Sequence, residues 1–430
     1  SEAIYRAIHD LLEAEGGEAQ GGNFGLVVAE TVFLRDLRAD IEPVRAARDR
    51  VFAADGGTAH SPATTEIEQP PLNERACLEV MIHAVVPYDA SHRIERVEAS
   101  PICGCAECAR AHGLALRIGD ETRFHAAGLC GPGEAAYEQT HGMFGLAEKL
   151  LRQAGMEFSD VVRTWIYLRE MARDYGDLNR ARREFFEARG IDPVPASTGI
   201  GGGPVSDLHD LCLGIYAVKA SHPPLRTVMT SPTLNEAGQY GADFVRGMKM
   251  VEANKVALHV SGTASIDEEG RTAHPGDFDA QADRMLLNIR KLLQRQDAAF
   301  DDVVSAITYL KHRSDAARLR AKLRQAGFDW AYLDGQDFVF QTVSGLLTGS
   351  TAPGEAIASG MDTVRFGIVD GNRAFYGFID ALRQNDLIKV MAEPQMTTVS
   401  GRPASFNSGG EFPIIVPQSL GTVSIEYRQY

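Results

Sequence analysis

The sequence predicts an α+β fold in which one unit, a mixed sheet with two helices on one face, occurs three times in tandem and is followed by a mainly-β tail. Three observations carry this. The stretch Val27–Asp36 returns as Val161–Glu170 and as Val303–His312, each rich in β-branched and aromatic residues and ending in charge, as a strand does. The three starts lie 134 and then 142 residues apart, the size of a small domain. Amphipathic helical stretches stand before and after every copy, and recurrence at a fixed period marks a repeat.

Residues 1–88 make the first unit: helix Ile4–Glu15, central strand Val27–Asp36, helix Pro43–Ala54, a Pro62-Ala-Thr-Thr-Glu-Ile turn that starts a strand, and closing strand Cys77–Val86. Residues 89–221 make the second, which adds a leading hairpin at Ala115–Ile118 and Arg123–Gly128. It continues with helix Tyr137–Ala154, strand Val161–Glu170, helix Gly176–Arg189, turn Pro195-Ala-Ser-Thr-Gly-Ile and closing strand Leu211–Val218. Residues 222–327 make the third, with hairpin residues Lys255–Gly262, helix Ala280–Gln296, strand Val303–His312 and helix Asp315–Gly327. In its first helix Met285, Leu286, Ile289, Leu292 and Leu293 fall at helical spacing. The full order is β-β-α-β-α-β-β, which one sheet with helices on a single face satisfies. The first unit lacks the hairpin and the third lacks the closing strands.

The repeat stops near Ala326, and residues 328–430 read differently. Asp337–Val343 is strand-like, 348–362 is a flexible stretch rich in Gly, Ser, Thr and Ala, Phe378–Asn385 reads as a short amphipathic helix, and Thr422–Arg428 alternates like a two-faced strand. Either Asp337–Val343 stands in for the third unit's closing strands, or that unit is incomplete.

A formal net charge of −15 over 430 residues excludes a nucleic-acid backbone as main partner, because phosphate binding rests on clustered Lys and Arg. No run of eighteen apolar residues occurs, and Ser1 to Arg6 is not a basic-then-apolar export signal. The expectation is a cytoplasmic chain without membrane contact, moving to the periplasm or outer membrane only if a signal has been removed. Six cysteines in a chain this long make no disulfide scaffold. Cys103, Cys105 and Cys108 crowd together with His112 following, and thiolates with imidazole at such spacing suit zinc; a loop of reduced thiols is the alternative. No other cofactor is expected.

The Ser-Gly turn after the hairpin (Ser261-Gly262, with Ala127-Gly128 in the second unit), the central strand opening on Val-Val and the Pro-Ala-x-Thr turn recur in register. Together they resemble the Rid/YjgF family of reactive-intermediate deaminases over roughly residues 1–327. The resemblance implies a pseudo-trimeric barrel on one chain with ligand clefts at the seams, and a small carboxylate-bearing metabolite as partner. In that family a turn arginine pins the carboxylate of a 2-imino or 2-enamino acid, as its planar fork allows; the matching positions are Thr64 and Ser197. The closing-strand acid of the family is matched by His83 and Tyr216, and the Ser of the Ser-Gly turn by Ser261.

The run Tyr175–Phe186 followed by Pro195–Gly203 resembles the chorismatase branch of the same superfold. This gives Ser197, Thr198, Tyr216 and Arg163 as catalytic candidates. Gly199, Gly201 and Gly202 are ligand-binding candidates, through exposed backbone N–H groups, beside Thr64, His83 and Ser261. Arg180 and Arg183 are further carboxylate partners or ordinary charges on a solvated helix face; the glycines equally suit a tight turn. His125 and His141 receive no role.

In the tail, Phe378–Asn385, Val390–Pro394, Thr397–Phe406 and Ser408–Pro413 with Pro417 resemble the core of bacterial secretins, which implies self-association through this segment. Three functions follow: a Rid-like hydrolase, deaminase or chorismatase-like enzyme; a secretin-related scaffold; or a non-catalytic ligand binder.

Overall fold

The computed structural model describes residues 2–16, 27–53, 61–71, 76–86, 92–100, 102–221, 225–236, 238, 243–251 and 255–326, and, as backbone strands, 338–343, 363–370, 373–381, 411–419 and 422–429. Residues 1–382 form one compact unit and 383–430 another.

The second repeat is the most complete. Its strands are β4 (Arg93–Val97), β5 (Gly113–Ile118), β6 (Glu121–Leu129), β7 (Val161–Leu168), β8 (Ala196–Gly201) and β9 (Leu211–Ala220), in the order β4-β5-β6-β9-β7-β8; its helices are α3 (Ala136–Gln153) and α4 (Met171–Arg189). Strand β7 runs parallel to β8 and antiparallel to β9. Alternation along β7 sends Ile166 and Leu168 to the helix-covered core and leaves Trp165 and Tyr167 on the other face. The core beneath the helices is aromatic: Phe144 stacks on Phe158 with ring centres 5.5 Å apart, and Phe185 meets both at 5.1 and 5.0 Å. Phe144 is fully buried, and truncating it to alanine would cost about 3–5 kcal/mol. Helix α4 stops at Gly190, whose φ of 59° is the left-handed cap that glycine supplies without strain.

The first repeat reproduces the pairing. Strand β1 (Val27–Leu34) runs parallel to β2 (Ala63–Glu68) and antiparallel to β3 (Leu78–Val86), under helices α1 (Glu2–Gly16) and α2 (Leu37–Ala53). Helix α2 starts six residues before the expected Pro43, because the Asp36 carboxylate caps a further turn by accepting from the Ala39 N–H at 3.0 Å.

The third repeat differs. It has the sheet β10 (Leu225–Val228), β11 (Gly247–Val251) and β12 (Val256–Val260), and helices α5 (Phe278–Gln294) and α6 (Ala316–Gln325). The expected strand Val303–His312 is not formed: residues 303–310 join no ladder and are largely exposed. In the other two repeats the equivalent strand is held between a turn strand and a closing strand, and among the described residues no such pair stands beside residues 303–310. Tyr309 nevertheless reaches one cluster with Phe33 and Tyr167. These residues occupy the same position in the three copies, so the copies converge on a common centre. Among the described residues the strands form separate sheets and no closed barrel.

Strands β13 (Phe338–Val343), β14 (Thr363–Asp370) and β15 (Arg373–Ala381) continue the first repeat's sheet, with β15 parallel to β3. Phe338–Val343 therefore does not close the third repeat, and the expected helix from Phe378 begins instead inside β15. Strands β16 (Glu411–Ser419) and β17 (Thr422–Gln429) form an antiparallel hairpin in the other unit. The flexible stretch 348–362 and the motifs Val390–Pro394 and Thr397–Phe406 lie outside the described residues. No described helix is long and apolar enough to cross a membrane.

Candidate functional site

Adjacent repeats meet at two seams built the same way. The irregular end of β6, where the register shifts between Ala126 and Leu129, brings Gly128 against the first repeat so closely that a Cβ would stand 2.7 Å from the Thr64 carbonyl oxygen. The turn after β12 brings Gly262 against Thr198, where a Cβ would stand 3.0 Å from its methyl group.

The chemistry of the seams is unequal. In the first, Glu30 is 1% exposed and accepts from Tyr5 Oη at 3.0 Å, Arg48 Nη1 at 2.7 Å and Thr64 Oγ1 at 3.1 Å. Burial opposes the Arg48 charge, but Glu30, with Tyr5 and Glu66, more than offsets it and holds the guanidinium above its ordinary range. Arg45 is clasped by Glu66 and by Glu107, the latter at 3.1 and 2.6 Å. A cavity of about 320 Å³ opens here, lined by Arg45, Arg48, Thr64, Glu107, His112 and Cys130 among others. Its buried cations, Arg45 and Arg48, already face carboxylates.

In the second seam, Arg182 stands where the first has Arg48, and Thr164 where it has Glu30, both 134 residues on. The buried Ser197 hydroxyl accepts from Thr164 Oγ1 at 2.8 Å and Arg182 Nη1 at 3.4 Å. Its backbone braces the third repeat: the Ser197 N–H donates to Ser261 Oγ at 2.9 Å, and the Gly262 N–H donates to the Ser197 carbonyl at 3.0 Å. On the opposite face of the strand Arg163, 8% exposed, donates to Thr198 Oγ1 and, at 3.4 Å, to the Thr164 carbonyl, and lies 5.1 Å from the Trp165 ring centre. No described contact gives Arg163 a carboxylate. Burial pushes it down to about 10.

Other sequence-predicted residues fall elsewhere. Tyr216 and His83 join a file of rings through His125, at 4.8 and 5.1 Å between centres, and His259 extends it 5.5 Å from Tyr216. The glycine run is not an anion-binding concavity. Gly199 and Gly201 are ladder residues of β8, paired with Ile166 and Leu168; the Gly202 N–H donates to the Leu168 carbonyl at 2.8 Å, and no glycine in the run has the left-handed φ that converging N–H groups need. Gly203 allows a close crossing instead, since a Cβ there would stand 2.6 Å from Arg169, while Gly201 has open space around it. Arg180 pairs with Asp177 and Arg183 with Asp243, as helix-face charges do.

His112 is turned away from the cysteines, its Nδ1 2.9 Å from the Arg110 carbonyl and its Nε2 2.8 Å from the Ser61 carbonyl. The fourth group beside Cys103, Cys105 and Cys108 is His209, and this set could hold a metal ion. Sequence reasoning missed His209 because nothing local marks it. It also missed Glu30, Arg48 and Arg182, although the 134-residue offset of the central strands points to the two arginines.

Comparison with known proteins bears on the fold. Residues 124–208 and 234–328 match the family described as Endoribonuclease L-PSP, the Rid/YjgF family. The crystal structure of a chorismatase superposes with a TM-score of 0.51 at 18% identity, over 72% of this chain and 87% of that one, which shows a shared fold. A YjgF-family protein from Neisseria meningitidis aligns over 30% of this chain and 96% of its own at 22% identity, TM-score 0.24. The Sinorhizobium fredii protein y4xJ is 38% identical over 86 residues, 20% of each chain, so this chain spans about a fifth of that relative.

Proposed function

Starting from a chain that carries two Endoribonuclease L-PSP segments, at 124–208 and 234–328, we propose that it binds and transforms a small carboxylate-bearing metabolite at the seam between its second and third repeats. The observation that carries this is Arg163, a buried guanidinium without a described counter-charge. A buried charge is tolerated when a partner completes it, and a carboxylate completes an arginine in two parallel hydrogen bonds. Arg182 adds a second guanidinium on the other face of β8, at the Ser197 hydroxyl.

Ser197 accepts two hydrogen bonds, so its own O–H remains a donor. Ser197 lies on the opposite face of the sheet from Arg163, and no described bond joins it to a carboxylate or imidazole, so in this reading it positions the strand that carries Thr198 and is not an activated nucleophile. Thr198 and Tyr216 stand on the Arg163 face. The reaction classes that fit are hydrolysis of a 2-imino or 2-enamino acid and cleavage of a chorismate-type enol ether. The first seam, whose buried arginines Arg45 and Arg48 are already matched, is structural in this reading.

The test is product formation by the purified full chain from chorismate and from 2-imino acids generated in place, repeated with R163M and S197A. Turnover of one class that R163M weakens supports the reading. Absence of both turnover and saturable binding for either class removes it.

A further inference from the structure

The loop between β4 and β5 meets the loop between β8 and β9 at one point. The Sγ atoms of Cys103, Cys105 and Cys108 stand 3.7, 3.3 and 3.4 Å from His209 Nε2, and Cys103 Sγ is 3.3 Å from Cys105 Sγ. All four donor atoms lie within 4.8 Å of one another. Around a tetrahedral zinc ion, with Zn–S about 2.3 Å and Zn–N about 2.0 Å, neighbouring donors stand roughly 3.5–3.8 Å apart. A second observation agrees: the backbone N–H of Cys108 donates to Cys105 Sγ at 3.2 Å, a bond that favours thiolate. All six cysteines are free of disulfides.

His209 is held in place by its own loop. Arg169 Nη2 gathers the carbonyl oxygens of Pro204, Ser206 and His209 at 2.9, 3.1 and 3.3 Å. The Asp210 N–H donates to Gln139 Oε1 at 2.8 Å, and His209 is 3% exposed.

We propose that Cys103, Cys105, Cys108 and His209 bind one zinc ion as a closed structural site. Four protein ligands leave no position for water, so the ion takes no part in catalysis. Binding converts up to three thiols to thiolates and releases their protons. Both loops also line the cavity of the first seam, through Glu107 and through Pro204, Val205 and Ser206. Glu107 is one of the carboxylates on Arg45, so the ion fastens the wall that carries it.

The untagged full chain, purified under reducing conditions, is titrated with zinc against a chromophoric chelator and separately with Co²⁺. The expected result is about one metal per chain, and a cobalt spectrum with thiolate charge-transfer absorption and the strong ligand-field bands of a tetrahedral ion. H209A should weaken zinc binding at least about tenfold, while H112A should match the parent. The cobalt spectrum of the parent does not depend on any variant folding. No metal uptake by the reduced parent, a weak octahedral cobalt spectrum, H209A binding like the parent, or H112A losing metal as H209A does would each overturn the site. So would a Cys103–Cys105 disulfide that persists through reducing purification.

Discussion

Replacing Arg163 with methionine should make the ligand-free protein more stable while weakening its hold on a carboxylate. Burial takes the guanidinium from 12.5 down to about 10, a difference of about 3 kcal/mol set against the charged form. Methionine of similar length removes that opposition. It also forfeits the cation–π contact with Trp165 and the hydrogen bond to Thr198, about 1 kcal/mol each. The balance is a gain of about 1 kcal/mol, roughly 1–2 °C in the thermal midpoint for a unit of this size. With ligand present the sign reverses, because a hydrogen bond to a charged group contributes about 1.5–3 kcal/mol and its loss lowers affinity roughly 10- to 150-fold. Thermal melts of parent and R163M, with and without the ligand found by turnover, read both quantities. A lower midpoint for ligand-free R163M, or an equal ligand-induced shift in the two proteins, would refute the reasoning.

E30A should cost about 3–5 kcal/mol in urea denaturation by leaving Arg48 buried without its carboxylate, and E30A/R48M should recover part of that; a loss under 1 kcal/mol would mean that water solvates the site. G128A combines a left-handed φ of 64° with a Cβ 2.7 Å from the Thr64 oxygen and should cost about 2–4 kcal/mol. G119A, at φ 58° with open space around it, should cost about 1 kcal/mol, and equal effects would contradict a tight first seam. Burial raises the carboxyl of the half-buried Glu79 from 4.5 to about 7, so its contribution is whole below about 4.5 and is lost as pH rises through 7. E79Q should therefore gain on the parent by about 1–2 kcal/mol between pH 5 and pH 8, measured by chemical denaturation at both, and a constant difference would rule out the buried carboxyl.

What could be read in the sequence was what repeats along it. The Val27 and Val161 strands, their flanking helices and the turn strands stand where periodicity puts them, and the same offset pairs Phe33 with Tyr167 and Arg48 with Arg182. The Val303 segment misled because a strand needs neighbours as well as composition, and among the described residues none stand beside it. Boundaries moved where a side chain extended a helix, as Asp36 does. The donor set was half legible: three cysteines within six residues announce themselves, but His209 lies 101 residues from Cys108 and is brought near only by the fold. The glycine run could not be told from a nest, because the distinction lies in φ and in which ladder the N–H groups join.

The contrast between Glu30 and Thr164 has a consequence for how such a protein can change. In a ring of identical subunits each substitution appears in every interface at once, so a change that closes one pocket closes all of them. Here the two junctions are encoded separately. One has acquired an internal acid and settled into masonry, while its counterpart has a hydroxyl at that place and keeps Arg163 beside it with no described carboxylate, and a single gene can revise either without touching the other.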